Sequence, residues 1–162
     1  MDAFDQLNLP AQFDLDPGTL EAAYLQAAAA HHPDRFTDPL DQADAADRTA
    51  AITGAHRALS DPGKRARVLL ARHGVSVADG GSPPPALLME VMEVREALET
   101  AMHQQDSAEV ERLRQQAQER RDDHLQQLSK HFASDPIDTD TVIGELNALR
   151  YMQRMLDQMD TV

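Results

Sequence analysis

The chain has 162 residues, 41% of them hydrophobic, enough to bury the core of one ordinary domain or two small ones. A net charge of −13 argues against nucleic acid and anionic membrane as partners, because both reward the opposite sign. Without cysteine it has no disulfide, no thiolate nucleophile and no ordinary cysteine-ligated iron-sulfur or zinc site, so no resident cofactor is expected.

Aromatic residues make up only 4%, which predicts aliphatic cores. No apolar run approaches the roughly 20 residues of a membrane span. The start, Met1-Asp2-Ala3-Phe4-Asp5, lacks the basic opening of a signal peptide, and a cytoplasmic protein is expected.

In chain order, Phe4, Leu7, Leu9, Phe13 and Leu15 supply a first apolar segment. Asp16-Pro17 then sets an N-cap carboxylate before a proline at the first helical position. Leu20, Tyr24, Ala27 and His31 follow at spacings of four, three and four, one face of a helix. Pro33 ends that helix, since proline disfavours helical geometry in the residue before it and pushes His32 to extended backbone. The stretch His31-His32-Pro33-Asp34-Arg35-Phe36 therefore reads as a rigid turn displaying an imidazole and a carboxylate, a contact loop with no catalytic arrangement. By itself the tripeptide is equally a plain helix end followed by a turn.

Ala45, Thr49, Ile52, His56 and Leu59 then repeat at four, three, four and three, placing a second long helix antiparallel to the first. Asp61-Pro62 renews the cap-and-proline signal and opens a short helix through Val68, Leu69 and Leu70. Gly74 is a helix stop after Arg72 and His73, and Gly80-Gly81-Ser82-Pro83-Pro84-Pro85 is linker chemistry. These signals divide the chain into 1–73, a linker 74–84, and 85–162. Positions 1–73 carry 11 acidic and 7 basic groups, net −4, and positions 74–162 carry 17 and 8, net −9.

Three amphipathic helices follow. The first runs from about Pro85 to Gln104 on Leu87, Val91, Val94, Leu98 and Ala101. The second opens with Asp106 and Glu109 in a capping-box pattern and turns Val110, Leu113, Ala117, His124 and Leu128 inward. The third, after Pro136, uses Val142, Leu146, Leu149, Met152 and Leu156. Short connections predict an antiparallel three-helix bundle, so the fold class is all-α. At about 100° per residue, Leu88 and Met92 lie roughly 100 to 140° from the core face of the first helix and Met89 lies farther round. On the third helix Tyr151 and Met155 fall opposite Leu149. Clustered off-core apolar residues point to a protein-binding surface, where methionine adapts to a partner.

An N-terminal short helix, an antiparallel hairpin, His32-Pro33-Asp34 in its loop and Ala58-Leu59-Ser60-Asp61-Pro62 after it resemble a J-domain. That resemblance implies docking on an HscA/DnaK-type ATPase chaperone through His32, Pro33, Asp34 and Arg35, with the chemistry occurring in the partner. One departure stands out. The helix before the loop ends in Ala27-Ala28-Ala29-Ala30, and the sole Lys or Arg before position 48 is Arg35, where most J-domains carry several basic residues.

In the second half, Leu88-Met89-Glu90-Val91-Met92-Glu93-Val94-Arg95-Glu96 and Leu149-Arg150-Tyr151 resemble the C-terminal domain of HscB-type iron-sulfur cluster co-chaperones. The resemblance implies that Leu88, Met89, Met92, Glu93, Glu96, Arg150 and Tyr151 contact an IscU-type scaffold protein. Met92 and Tyr151 stand where leucine and phenylalanine are familiar, and the absent cysteine-rich zinc element matches the bacterial form. The expected function is a non-enzymatic co-chaperone that stimulates the ATPase and delivers the scaffold to it. Two alternatives are a general J-domain co-chaperone with another client, and a structural helical dimer using Leu88, Met92 and Tyr151 as its seam.

Rival chemistries find no pattern. None of the seven histidines stands four residues from another, and neither His-Glu-x-x-His nor a calcium loop occurs, so no metal site is expected. His56 and His124 read as partly buried helix-face residues, and Ser60 and Ser107 as turn or capping residues. Arg112, Arg114, Arg120 and Arg121 alternate with acidic residues as a solvated, salt-bridged face, and Lys64, Arg65 and Arg67 read likewise as a solvated surface.

Overall fold

The computed structural model describes residues 1–77 and 84–160, with the backbone alone at Glu90. Residues 78–83 of the expected linker lie outside the described residues. Seven α-helices and one 3-10 turn are described: α1 Ala3–Gln6, α2 Pro17–Ala30, the turn Pro33–Arg35, α3 Pro39–Ser60, α4 Pro62–Arg72, α5 Pro85–His103, α6 Ser107–Phe132 and α7 Thr139–Asp160. They sort into two compact units, Met1–Ser76 and Val77–Val162.

In the first unit α1, α2 and α4 all pack on α3. Leu20 of α2, Ala45, Ile52, Ala55 and Leu59 of α3, and Ala66, Leu69 and Leu70 of α4 are buried together with Phe4, Leu7, Phe13 and Leu15; the sequence predicts all of these but Ala55 and Ala66, while Leu9, expected with them, is half-buried. Burying each large side chain contributes about 1.5–3 kcal/mol, so the core selects this arrangement over other helix pairings.

Side chains finish the helix ends. Asp16, Asp38 and Asp61 accept from backbone N–H groups at the starts of α2, α3 and α4. At α1 Asp2 and Asp5 form a reciprocal capping box. Gly74 adopts φ +76°, which lets its N–H reach Ala71 O and the N–H of Val75 reach Leu70 O, closing α4. The Arg72 guanidinium ties the end of α4 to both Asp2 and Asp5. The Arg72 side chain beside Asp2, and for Asp5 first the Asp2 N–H and then Arg72, hold both carboxyls below the usual carboxylate range, while Arg72 is pushed up.

Arg65 departs from the solvated face expected of it. Its guanidinium carbon lies 5.4 Å from the centre of the Phe13 ring, and burial pushes its pKa down. The long aliphatic stem lets an arginine cover apolar surface, which charge counting alone does not register.

In the second unit, α5, α6 and α7 pack pairwise. Leu87, Val91 and Leu98 of α5, Leu113 and Ala117 of α6, and Ala148, Met152, Met155, Leu156 and Met159 of α7 form one buried cluster. Met155 corrects the helical-wheel expectation. It is 3% exposed, because α7 contacts both neighbours and must bury a broader arc than one apolar stripe. The Asp106–Glu109 capping box is also only half formed. Asp106 accepts from the Glu109 N–H at 3.0 Å, but the Glu109 carboxylate is engaged by Nε and Nη2 of Arg112 at 2.8 and 2.6 Å.

Asp106 carries a second duty. Its own N–H bonds Ala101 O at 2.9 Å, closing α5, and Gln105 takes φ 55° so that this closure can form. On the outer face of α6, Arg112 pairs with Glu109 and Arg121 with Asp122, as alternating charge predicts. Arg114 pairs with Glu111 on the same face at 3.5 Å and also crosses to Asp160 and to Met159 O at the end of α7.

Candidate functional site

The turn Pro33–Arg35 stands between α2 and α3. His32 is extended, φ −63° and ψ 129°, as a residue before proline must be. Its Nδ1 accepts from the Asp34 N–H at 3.3 Å, while the Arg35 N–H bonds His32 O and the Phe36 N–H bonds Pro33 O, each at 3.0 Å. The motif is thus a closed unit whose side chains face water: His32 is 57% exposed and Asp34 89%. Arg35 is exposed too, yet its Nη1 donates to Ala29 O at 3.1 Å, where a cation complements the C-terminal end of α2.

The neighbouring helix offers little charge. Glu21 is the single charged residue of α2, and it pairs with His56 Nε2 at 3.1 Å. That imidazole stacks on Tyr24 with ring centres 4.5 Å apart. Leu25 is 57% exposed. The approach to the loop along α2 therefore offers no basic residue, as the alanine run predicts.

On α5 the structure gathers five of the expected scaffold contacts along one helix. Leu88 is 41% exposed, Met89 68% and Met92 63%, and Glu93 and Glu96 are exposed one turn on. Spacings of three and four residues from Met89 to Glu96 set an apolar pair beside an acidic pair on one stripe. Arg150 and Tyr151 on α7 are half-buried. Tyr151 packs against the cluster that holds Leu87 and Val91, and Arg150 Nε is buried without a hydrogen-bond partner.

His124 and Glu145 form a half-buried pair between α6 and α7 at 2.7 Å. Among the described residues no group of three or more His, Asp or Glu side chains is placed to hold a metal, and no helix is long and apolar enough to cross a membrane. Sequence reasoning placed Thr49 on the inner face of the second long helix without its bond to the loop and passed over Gln42; both side chains reach carbonyls of the loop. Spacing turns Thr49 toward the hairpin but does not name its acceptor, since a mid-helix hydroxyl usually bonds its own preceding turn, and Gln42 sits exposed in the first turn of α3.

A helical hairpin presenting an exposed His-Pro-Asp turn, followed by a helical unit with an exposed methionine stripe, defines a co-chaperone of the J-domain type. Residues 83–160 match the family model described as "HSCB C-terminal oligomerisation domain". A co-chaperone HscB homolog of Burkholderia thailandensis is 38% identical over 135 residues, covering 78% of this chain and 73% of that protein. One from Shewanella baltica is 29% identical over 168 residues, covering 100% and 97%. Chaperone HscB from Vibrio cholerae superposes with a TM-score of 0.88 at 26% identity, over 99% of this chain and 96% of that one. Human co-chaperone HscB shares the fold, with a TM-score of 0.89 at 21% identity over 99% of this chain and 81% of that one. The chain belongs to the HscB co-chaperone family.

Proposed function

We propose that the chain is a non-enzymatic adaptor with two protein-binding sites, acting in the cytoplasm. The loop His32-Pro33-Asp34 with Arg35 engages an HscA/DnaK-type ATPase chaperone and stimulates ATP hydrolysis there. Leu88, Met89, Met92, Glu93, Glu96, Arg150 and Tyr151 bind an IscU-type scaffold and deliver it, assisting transfer of the iron-sulfur cluster as cargo. Residues 1–73 are assigned to the ATPase-facing J-domain, 74–84 to the linker and 85–162 to the scaffold-binding domain.

The observation that carries this reading is an exposed carboxylate on a closed, proline-fixed turn, Asp34 at 89%, on the same chain as an exposed methionine stripe. A carboxylate fixed in space can pair with a cation present in one conformation of the ATPase and absent from another. Stimulation requires that difference in binding free energy, since equal affinity for both conformations shifts nothing. Carrying the scaffold on the same chain converts its encounter with the chaperone into an intramolecular event at raised effective concentration.

Asp34→Asn keeps the turn and removes the charge. It is expected to abolish stimulation in a steady-state ATPase assay while scaffold binding persists, and undiminished stimulation refutes the assignment. A second copy of this chain is the competing occupant of the methionine stripe, favoured by the description of the matched family model as an oligomerisation domain. Sedimentation at rising concentration, with and without scaffold, separates the two occupants.

A further inference from the structure

We propose that Thr49 and Gln42 are positioning residues for the His-Pro-Asp turn: two α3 side chains that hold the carbonyls flanking the motif and set the angle at which it meets the ATPase. The inference rests on the docking role given to the loop above.

Three backbone carbonyls border the motif, and each accepts from a side chain. Ala29 O accepts from Arg35 Nη1 at 3.1 Å, His31 O from Thr49 Oγ1 at 3.1 Å, and Phe36 O from Gln42 Nε2 at 2.8 Å. Arg35 belongs to the turn, so its bond travels with the motif. Thr49 and Gln42 stand on α3, the helix anchored in the core by Ala45, Ile52, Ala55 and Leu59. Their bonds fall on opposite flanks, one residue before His32 and two residues after Asp34.

Inside this bracket the backbone has little freedom of its own. Pro33 fixes one dihedral, and the turn is closed by Arg35 N–H to His32 O and Phe36 N–H to Pro33 O. The motif therefore moves as a body, and what remains to be set is its orientation on the hairpin. Thr49 can also release it. The hydroxyl has one proton and two acceptors, Ala45 O at 2.9 Å and His31 O at 3.1 Å, and when it donates to Ala45 the loop loses that hold. A motif that samples several orientations docks with an apparent affinity reduced by the fraction in the competent one.

The test uses the full-length chain carrying Thr49→Val and Gln42→Met, titrated against a purified HscA-type ATPase. The concentration for half-maximal stimulation is expected to rise roughly three- to tenfold with the maximum retained. Thr49→Ser, in a chain with Gln42 intact, restores the wild-type value. Amide hydrogen exchange supplies the readout that general destabilisation does not reproduce. The amides of Asp34, Arg35 and Phe36 exchange faster in the double variant while α2 and α3 keep their protection.

An unchanged half-maximal concentration in the double variant, with Asp34→Asn inactive, overturns the positioning role and spares the docking loop. Full activity of Asp34→Asn overturns the docking loop itself. A raised half-maximal concentration without faster loop exchange also overturns the positioning role, because the loss then does not come from the hold on the loop, and faster exchange throughout α2 and α3 overturns it as well, because the loss then arises from global stability.

Discussion

Met89→Ala with Met92→Ala tests the proposed scaffold-binding stripe where it is most exposed. Met89 and Met92 leave 68% and 63% of their surface uncovered, so a partner covering them gains about 1–2 kcal/mol per side chain from apolar burial. Alanine retains only the β-carbon, which sets the loss at roughly 1.5–3 kcal/mol for the pair, or about tenfold to two-hundredfold in Kd. The fold has little at stake, since alanine is the best helix former and both side chains contribute mainly outside the core. The assay is titration calorimetry of a purified IscU-type scaffold against the full chain, at several temperatures. The variant is expected to bind more weakly and with a smaller negative heat-capacity change, because less apolar surface is buried. A Kd within twofold of wild type, with the unfolding midpoint unaltered, refutes the role of the stripe.

Two further outcomes concern stability. Gln105 occupies left-handed backbone at φ 55°, a conformation only glycine adopts without steric cost, so Gln105→Gly should stabilise the second unit by about 1 kcal/mol; a lower melting temperature by circular dichroism contradicts this. The carboxyls of Asp2 and Asp5 lie below their ordinary values when folded, so the unfolded chain binds those protons more readily. Their stabilisation is complete above the ordinary carboxylate value of about 3.9 and is lost as pH falls through the lower folded values. Arg72→Met removes the leading cause at Asp2, and denaturant titrations between neutral pH and about pH 2 should show a lower plateau with a shallower acid decline. Parallel profiles for the two proteins refute the assignment.

Helix positions were legible because aspartate-proline pairs and apolar spacing act locally, within one turn or one face. Asp16-Pro17 and Asp61-Pro62 mark their helix starts through bonds spanning three residues. The exposed character of Leu88, Met89 and Met92 was legible for the same reason, since each lies off a stripe that α5 alone defines. Met155 was not, because its burial depends on α7 touching two neighbours, a fact outside its own helix. Arg65 over Phe13 and Arg72 clasping Asp2 join residues 52 and 70 positions apart, where periodicity carries no information. The loop was legible as a proline-fixed turn, whereas Thr49 and Gln42 reach it through single hydrogen bonds made possible only by the packed hairpin.

Asp106 stands both as the residue that closes α5 and as the cap that opens α6. No spacer residue is left between those two duties, so the connection has no slack with which to let one helix slide on the other. The stripe of Met89 and Met92 is consequently a soft contact on a stiff mount. The backbone is already ordered before any partner arrives, so that part of the entropic cost of association is met during folding. The unbranched thioether chains retain the freedom to conform to what they touch. A surface made this way can accommodate sequence variation in its partner while still presenting it at one fixed bearing.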